Sequence, residues 1–248
     1  MTIAEQITRA KTDLDRAYEA GKKSEYDAFW DAFQLNGERR SYYYAFLNTG
    51  YGWSKKTFKP KYDIICEGSA SQCFYAWEDA NDTINFGAVL RQQGVILDTS
   101  RATNISNFFA YGKSFVGEFP TISCENAGTN TNGLFRGCMV SKIEKLIVTE
   151  QTSFDTSFSG CSELVDIVFE GTIAKGNLNM RSCTKLTKAS IISIMEALST
   201  TTTGLTVTLS KTAVDTAFAA EGETSGGIYR EEWGNYVLAR PNWTIALA

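Results

Sequence analysis

Three stretches in the middle of the chain share one pattern of apolar and polar positions. Each has an apolar residue, two mostly small or polar positions and then a cysteine, as in Phe135–Cys138, Phe158–Cys161 and Met180–Cys183. A strand-like apolar stretch follows each cysteine. The cysteines are separated by 23 and then 22 residues. A period of this length predicts stacked units that bury a shared core, because no single unit can bury its apolar edge alone.

Weaker copies of the pattern come earlier in the chain. One has Gly112 in the cysteine position, and a still weaker one begins at Gln72. We therefore predict an α/β (α+β) fold with a short, irregular leucine-rich-repeat-like solenoid at residues 71–190. The cysteines then act as small apolar residues rather than as metal ligands or disulfides. The predicted repeat core comprises Phe109, Phe135, Cys138, Phe158, Cys161, Leu164, Ile167, Met180, Cys183 and Leu186.

Residues 1–36 have the spacing of two helices. Thr2 and Glu5 form a capping-box signature, and apolar or small residues follow at intervals of 4, 3, 4, 3 and 4. This seam either assembles copies of the chain into a homo-oligomer, such as a trimer, or packs against its own domain. The seam residues are Ile3, Ile7, Ala10, Leu14 and Ala17.

Residues 37–70 are dense in aromatic residues and glycine, and they predict an irregular or strand-rich cap. Two roles are open for the aromatic residues. They can stack on sugars, or they can seal the end of the solenoid, which must be covered. The second role is favoured. The candidate ligand-binding residues are Tyr42, Tyr43, Tyr44, Trp53 and Tyr111.

Residues 191–248 predict an α/β C-terminal cap. A helical apolar pattern at the start of this region is followed by the period-two alternation of a strand. The later elements alternate in the same way. In order, we predict a helix that carries Ile191, a strand at 204–209, a helix from Ser210, a helix that ends before Pro241 and a strand at 242–247.

Composition restricts the chemistry that the chain can perform. Its 248 residues carry a formal net charge of −4 and include no histidine. The missing histidine excludes Ser-His-Asp and Cys-His nucleophilic sites and removes the commonest metal ligand. We therefore expect no enzymatic activity, no catalytic residue, no metal site and no cofactor. Without a basic stripe or an apolar run of membrane-spanning length, we also expect neither nucleic-acid binding nor membrane insertion.

Chemistry based on carboxylates alone stays open as a minor alternative. A glycoside hydrolase needs two carboxyl groups at a set separation around a cleft. None of the acidic pairs in this sequence has the spacing of a known motif. The candidate pairs are Glu78 or Asp79 with Asp82, Asp98 with Glu118, and Glu231 with Glu232.

The segment from Phe158 to Ile167 reads F-x-G-C-x-x-L-x-x-I and resembles the BspA-like class of bacterial leucine-rich repeats. The chain departs from that class by lacking the trailing prolines and by having irregular repeat lengths. The flanks, including AYEAGKKSEYDAFWDAFQ and PNWTIALA, resemble proteins encoded by phages and prophages of gut Firmicutes. In those proteins, similar repeats belong to tail-tip, tail-fibre or other virion-associated products.

This resemblance implies a virion structural or receptor-binding protein that attaches to a host-cell glycan or protein. Its partners would be further copies of itself or other virion proteins. The N-terminus lacks the apolar region of a secretory signal, so we expect synthesis in the bacterial cytoplasm and a place in the virion. The alternative is a bacterial leucine-rich-repeat interaction module, and a glycan hydrolase is the least favoured hypothesis.

Overall fold

The computed structural model describes Arg9, Phe46 and residues 58–79, 81–219 and 229–248. The predicted oligomerisation seam and most of the candidate ligand-binding aromatic residues lie outside these described residues. They are Ile3, Ile7, Ala10, Leu14, Ala17, Tyr42, Tyr43, Tyr44 and Trp53.

Strands and helices alternate along the described part of the chain, and the α/β class expected from the sequence is confirmed. The strands are β1 (Ile64–Ser69), β2 (Ile84–Asn85), β3 (Leu97–Asn104), β4 (Phe115–Phe119), β5 (Ile122–Ser123), β6 (Met139–Val148), β7 (Asp166–Gly171), β8 (Leu178–Met180), β9 (Leu205–Leu209) and β10 (Trp243–Leu247). The helices are α1 (Phe86–Gln93), α2 (Lys188–Ala197), α3 (Lys211–Phe218) and α4 (Tyr229–Leu238). None of these helices is long and apolar enough to cross a membrane.

The pairings between these named strands are all parallel. β4 and β5 lie end to end along one edge of β6, and β7 occupies its other edge. Partners in this central sheet are 23 or 24 residues apart, as in Val116 with Met139 and Ile143 with Ile167. β1 pairs with β3, and β8, β9 and β10 form a third sheet. Partners are further apart where helices intervene between paired strands, such as α1 between β1 and β3 and α3 and α4 between β9 and β10.

A second set of backbone hydrogen bonds joins four turns at 72–76, 107–111, 133–137 and 156–160, which we call the turn ladder. In each of the first three turns, the central phenylalanine donates its N–H to the next turn, at the residue just before its phenylalanine. Phe46 donates to the first turn in the same way. The bonds run from Phe46 to Cys73 at 2.8 Å, from Phe74 to Phe108 at 2.8 Å, from Phe109 to Leu134 at 2.9 Å, and from Phe135 to Ser157 at 3.1 Å.

The first and last residues of every turn in the ladder have a positive φ angle. Glycine adopts this left-handed backbone without strain, whereas other residues adopt it at some cost. Five of the eight positions are nevertheless not glycine, so the backbone bonding of the ladder, rather than residue type, imposes the conformation. The pairs are Gln72 and Ala76, Asn107 and Tyr111, Gly133 and Gly137, and Thr156 and Gly160.

The phenylalanine rings of the turn ladder stack on one another inside the protein. The ring centroids of Phe46 and Phe74 are 4.8 Å apart, and those of Phe74 and Phe109 are 5.2 Å apart. The stack continues to Phe135 and Phe158 with spacings of 5.9 and 5.8 Å. The ten predicted core residues are at most 4% exposed. One apolar core therefore runs along the stacked turns and unites the three sheets.

The residue three positions after each phenylalanine has a specific bonding role. The Sγ of Cys138 donates to the carbonyl of Phe109 at 2.8 Å, and that of Cys161 donates to Phe135 at 3.0 Å. Trp77 occupies the same position after Phe74 and donates its indole N–H to Phe46 at 2.7 Å. A compact thiol thus fills an apolar space and also satisfies a buried carbonyl of the preceding turn. The six cysteines of the chain are all free and buried.

The C-terminal elements follow the predicted order. α2, β9, α3, α4 and β10 confirm the helix, strand, helix, helix and strand expected after residue 190. Two details differ from the expected boundaries. β1 carries parallel pairing ahead of residue 71, and β8, expected in the last repeat, pairs with β9 in the C-terminal sheet. Strand pairing therefore continues across both predicted domain boundaries.

Replacing Phe158 with alanine should lower the free energy of unfolding by roughly 3–5 kcal/mol, because its ring is fully buried among Phe135, Phe154 and Phe169. Urea denaturation measures this change. The control is Val168→Ala on β7, where the side chain is 48% exposed and the expected change is within about 0.5 kcal/mol. Similar effects of the two substitutions would contradict the described packing.

Stability should fall at high pH because of the buried thiols. Burial raises the pKa of Cys161 from its ordinary value of 9.0 to about 12. The unfolded chain then releases this proton at lower pH than the folded chain, so the stabilisation is complete below pH 9 and is lost as the pH rises toward 12. Urea denaturation at several pH values should show a shallower loss for Cys161→Ala, by up to about 1.4 kcal/mol per pH unit. Parallel curves for the two proteins would show that Cys161 does not titrate in this way.

Candidate ligand cleft

Helix α1 lies beside the stacked strands because a short insertion separates β2 from β3. Asn85 caps its start by accepting the N–H of Ala88 at 3.0 Å. Gly94, with a φ of +67°, ends the helix and turns the chain back into β3. The other end of the helix approaches β4 closely, since a Cβ atom on Gly87 would lie 2.8 Å from the carbonyl oxygen of Glu118. The absence of a side chain at Gly87 therefore sets how near the helix lies to the sheet.

A cleft of about 570 Å³ lies where α1 and the start of β3 meet the corner between β4 and β5. This volume falls within the range of sites that bind small molecules. The lining residues come from five elements and their connections. They are Gly87, Leu90, Arg91, Val95, Ile96, Leu97, Asp98, Thr99, Ser100, Glu118, Phe119, Pro120, Thr121, Ser123, Glu125, Lys142, Glu144 and Ile147.

A pair of reciprocal hydrogen bonds holds the wall of the cleft together. Thr99 on β3 donates its hydroxyl to the carbonyl of Ser123 at 2.9 Å, and the N–H of Ser123 donates back to the Thr99 hydroxyl at 2.8 Å. Both residues are buried, so these bonds are shielded from water. The Ser123 hydroxyl donates to Glu125 at 2.8 Å. A threonine side chain therefore replaces the backbone ladder at the point where β3 passes β5, and it fixes that wall.

The cleft combines apolar and hydroxyl-bearing surface. The floor includes the buried side chains of Leu90, Leu97 and Phe119. Ile96 also lines the cleft and is 57% exposed, one of few large apolar side chains so exposed in the described part of the chain. An exposed apolar residue beside hydroxyl and carboxylate groups is a common arrangement in ligand sites, since the apolar part supplies contact area and the polar groups fix orientation.

The charged side chains give the cleft an acidic balance. Arg91 approaches one carboxylate oxygen of Glu118 at 2.9 Å, and Lys142 approaches the other at 3.8 Å. Four carboxylates against two cations leave a net charge of −2 in the lining. The carboxylates are Asp98, Glu118, Glu125 and Glu144, and the cations are Arg91 and Lys142. A neutral, hydroxyl-rich or cationic ligand therefore suits the cleft better than a polyanion does.

The structure brings together one acidic pair that the sequence analysis weighed, because Asp98 and Glu118 line the same cleft. Both oxygens of Glu118 face cations, so neither points freely toward a bond to be broken. Within the described residues, no group of three carboxylate or cysteine side chains could hold a metal ion. The arrangement suits hydrogen bonding to hydroxyl groups more directly than acid–base catalysis.

Scans of known protein families, curated proteins and solved structures found no match to this chain. The cleft is therefore interpreted from its own residues. None of the candidate ligand-binding residues named from the sequence lines it. Tyr111 lies on the turn ladder, where it is half-buried beside Tyr75 and Arg136. Phe58, which belongs to the aromatic stretch expected to stack or to seal, is fully buried against Phe74 and Trp77.

Sequence reasoning missed the cleft because its residues share no motif. They meet through parallel pairing between strands that are distant in the chain. One signal was available: the paired strands before Phe115 are more than 30 residues apart, whereas later ones are 23 or 24 apart. The additional length contains α1, so the departure from the repeat period marks the position of the cleft.

Two glycine-to-alanine substitutions in helices should have opposite effects. Gly87→Ala should destabilise the protein by roughly 1–3 kcal/mol, because the new Cβ would collide with the Glu118 carbonyl and move α1. Gly234→Ala in α4 meets open space and should stabilise by about 0.5–1 kcal/mol. Urea denaturation measures both changes. If Gly87→Ala also stabilised the protein, the close approach of α1 to β4 would be wrong.

Proposed function

We propose that this chain is a virion-associated receptor-binding protein of a phage. Its stacked units form a leucine-rich-repeat-like solenoid that presents the α1 cleft to a glycan on the host cell. The observation that carries the binding role is the cleft itself. It is a concave surface of about 570 Å³ with an exposed Ile96, several hydroxyl groups and four carboxylates, beside a wall fixed by buried hydrogen bonds.

The repeat spacing supports the solenoid. Parallel partners 23 or 24 residues apart, together with turns of one backbone conformation, are what stacked units of that length produce. Such scaffolds have rigid, extended surfaces and bind through residues that vary from unit to unit. The resemblance of the Phe158–Ile167 segment to BspA-like repeats, and that of the flanks to phage products, supports the placement in a virion.

The composition of the cleft favours a neutral or amino-substituted sugar. Carboxylates accept hydrogen bonds from sugar hydroxyl groups, and serine and threonine hydroxyls both donate and accept them. The apolar side chains of Ile96 and Leu97 provide surface for the C–H groups of a sugar ring. The net charge of −2 in the lining disfavours highly anionic polymers, since like charges repel in a partly enclosed site.

A weak hydrolase activity is the second candidate, because Asp98 and Glu118 share the cleft. In this case the chain would shorten the glycan that it binds, with these two carboxylates on either side of the scissile bond. Binding and hydrolysis are separable by experiment. Product release from host-wall glycans that disappears in Glu118→Gln would establish hydrolysis, whereas stable binding without product supports the receptor-binding role alone.

The receptor-binding proposal predicts that the chain attaches to candidate host cells and to neutral or amino sugars displayed on a glycan array. Asp98→Asn should weaken this binding roughly tenfold, because the carboxylate is lost while the acceptor for the Ser100 N–H is kept. The matched control is Glu163→Gln, which removes a carboxylate that pairs with Lys185 away from the cleft. It should leave the affinity unchanged.

Three results would contradict the proposal. The first is the absence of binding to any host cell or uncharged glycan at millimolar concentrations. The second is equal weakening by Asp98→Asn and Glu163→Gln, which would indicate a general charge effect. The third is strong binding that is unaffected by Asp98→Asn and by Ile96→Ser, which would place the ligand outside the cleft.

A further inference from the structure

Three side chains from successive turns of the ladder form an exposed group away from the α1 cleft. We call Tyr75, Tyr111 and Arg136 the Tyr–Arg patch. The two tyrosine rings meet nearly at right angles, with centroids 5.4 Å apart and an interplanar angle of 83°. The guanidinium of Arg136 lies over the ring of Tyr111, 5.3 Å from its centroid. Both tyrosines are half-buried and Arg136 is exposed, so the patch faces solvent.

The turn ladder fixes the position of this patch. The N–H of Tyr111 donates to the carbonyl of Arg136, which holds these two residues side by side. The N–H of Ala76 donates to Ala110 at 2.9 Å and places Tyr75 next to Tyr111 in the same way. The three side chains are therefore brought together by buried backbone bonds rather than by flexible loops, and such preorganisation favours ligand binding.

A tyrosine at position 111 is not needed for the fold. Its φ angle is +59°, a conformation in which a bulky residue is strained. The equivalent positions hold Ala76, Gly137 and Gly160, so the ladder forms at least as well with a small residue. The tyrosine thus carries a backbone cost for a side chain that lies on the surface. Strained residues of this kind occur preferentially where ligands bind.

Arg136 has the chemistry to recognise a carboxylate. In the part of the chain that the structure describes, no carboxylate lies within ion-pair distance of its guanidinium. Stacking on Tyr111 restricts its orientation and leaves the N–H groups at its edge available. A guanidinium held in this way can donate two parallel hydrogen bonds to one carboxylate.

We propose that the Tyr–Arg patch is a second binding site, for a sugar that bears a carboxylate, such as a hexuronic acid or a sialic acid. Arg136 binds the carboxylate, and the half-exposed tyrosine rings contact the apolar C–H face of the sugar ring. This specificity is opposite in charge to that of the acidic α1 cleft. The proposal is independent of ligand binding in that cleft, because the two sites share no residue.

The test uses the full chain and titrates it with glucuronic acid, N-acetylneuraminic acid, glucose and acetate, followed by NMR. We expect saturable shifts with the two acidic sugars, at most weak shifts with acetate and none with glucose. Arg136→Gln should weaken acidic-sugar binding roughly tenfold or more, and Arg136→Lys should recover only part of it. The control Arg181→Gln, which alters an exposed arginine outside the patch, should have no effect.

Tyr111→Gly separates binding from folding. Glycine relieves the backbone strain at this position, so the melting temperature should be unchanged or higher while acidic-sugar binding falls by roughly the same factor as in Arg136→Gln. Absence of binding by both acidic sugars would overturn the proposal. Equal binding of acetate and glucuronic acid, or full binding by Tyr111→Gly, would also overturn it, since neither result involves recognition of a sugar ring by the patch. Asp98→Asn should leave this binding intact even if the α1 cleft has no ligand.

Discussion

The backbone hydrogen bonds between successive turns are the constraint on which the rest of the structure depends. Each central phenylalanine N–H of the turn ladder is buried and finds its acceptor only in the next turn. A buried backbone group without a partner costs roughly 1–3 kcal/mol, so a single turn cannot be stable on its own. The same bonds set the left-handed residues at the ends of each turn and bring the phenylalanine rings into one stack.

The position after each phenylalanine shows how this constraint selects residues. A carbonyl in the ladder has a free lone pair that faces the following turn, and the residue there must supply a donor from a small space. Cys138 and Cys161 do this with a thiol, and Trp77 does it with an indole N–H. At Gly112 a side chain would collide with Phe115, so no donor is present. The cysteines serve packing and bonding, and burial keeps them protonated by raising the thiol pKa.

Both candidate binding sites arise where the repeat departs from regularity. The α1 cleft exists because an inserted helix stands beside strands that would otherwise pair at the regular spacing. The Tyr–Arg patch exists because a tyrosine occupies a ladder position that small residues occupy in the other turns. A regular stack provides rigidity, and local irregularities provide concave shape and chemical character. The two sites differ in charge, with an excess of carboxylates in the cleft and an unpaired guanidinium in the patch.

The sequence alone was enough to predict the α/β class, the C-terminal order of helices and strands, and the set of repeat core residues that the structure buries. These features follow from local periodicity and from apolar spacing, which every unit carries in its own residues. Tertiary structure alone decided the α1 cleft, the pairing of β8 with β9 and the contact of Tyr111 with Arg136. Those features depend on the register between distant strands and turns, and on buried hydrogen bonds such as that of Thr99 with Ser123, which leave no pattern in the sequence.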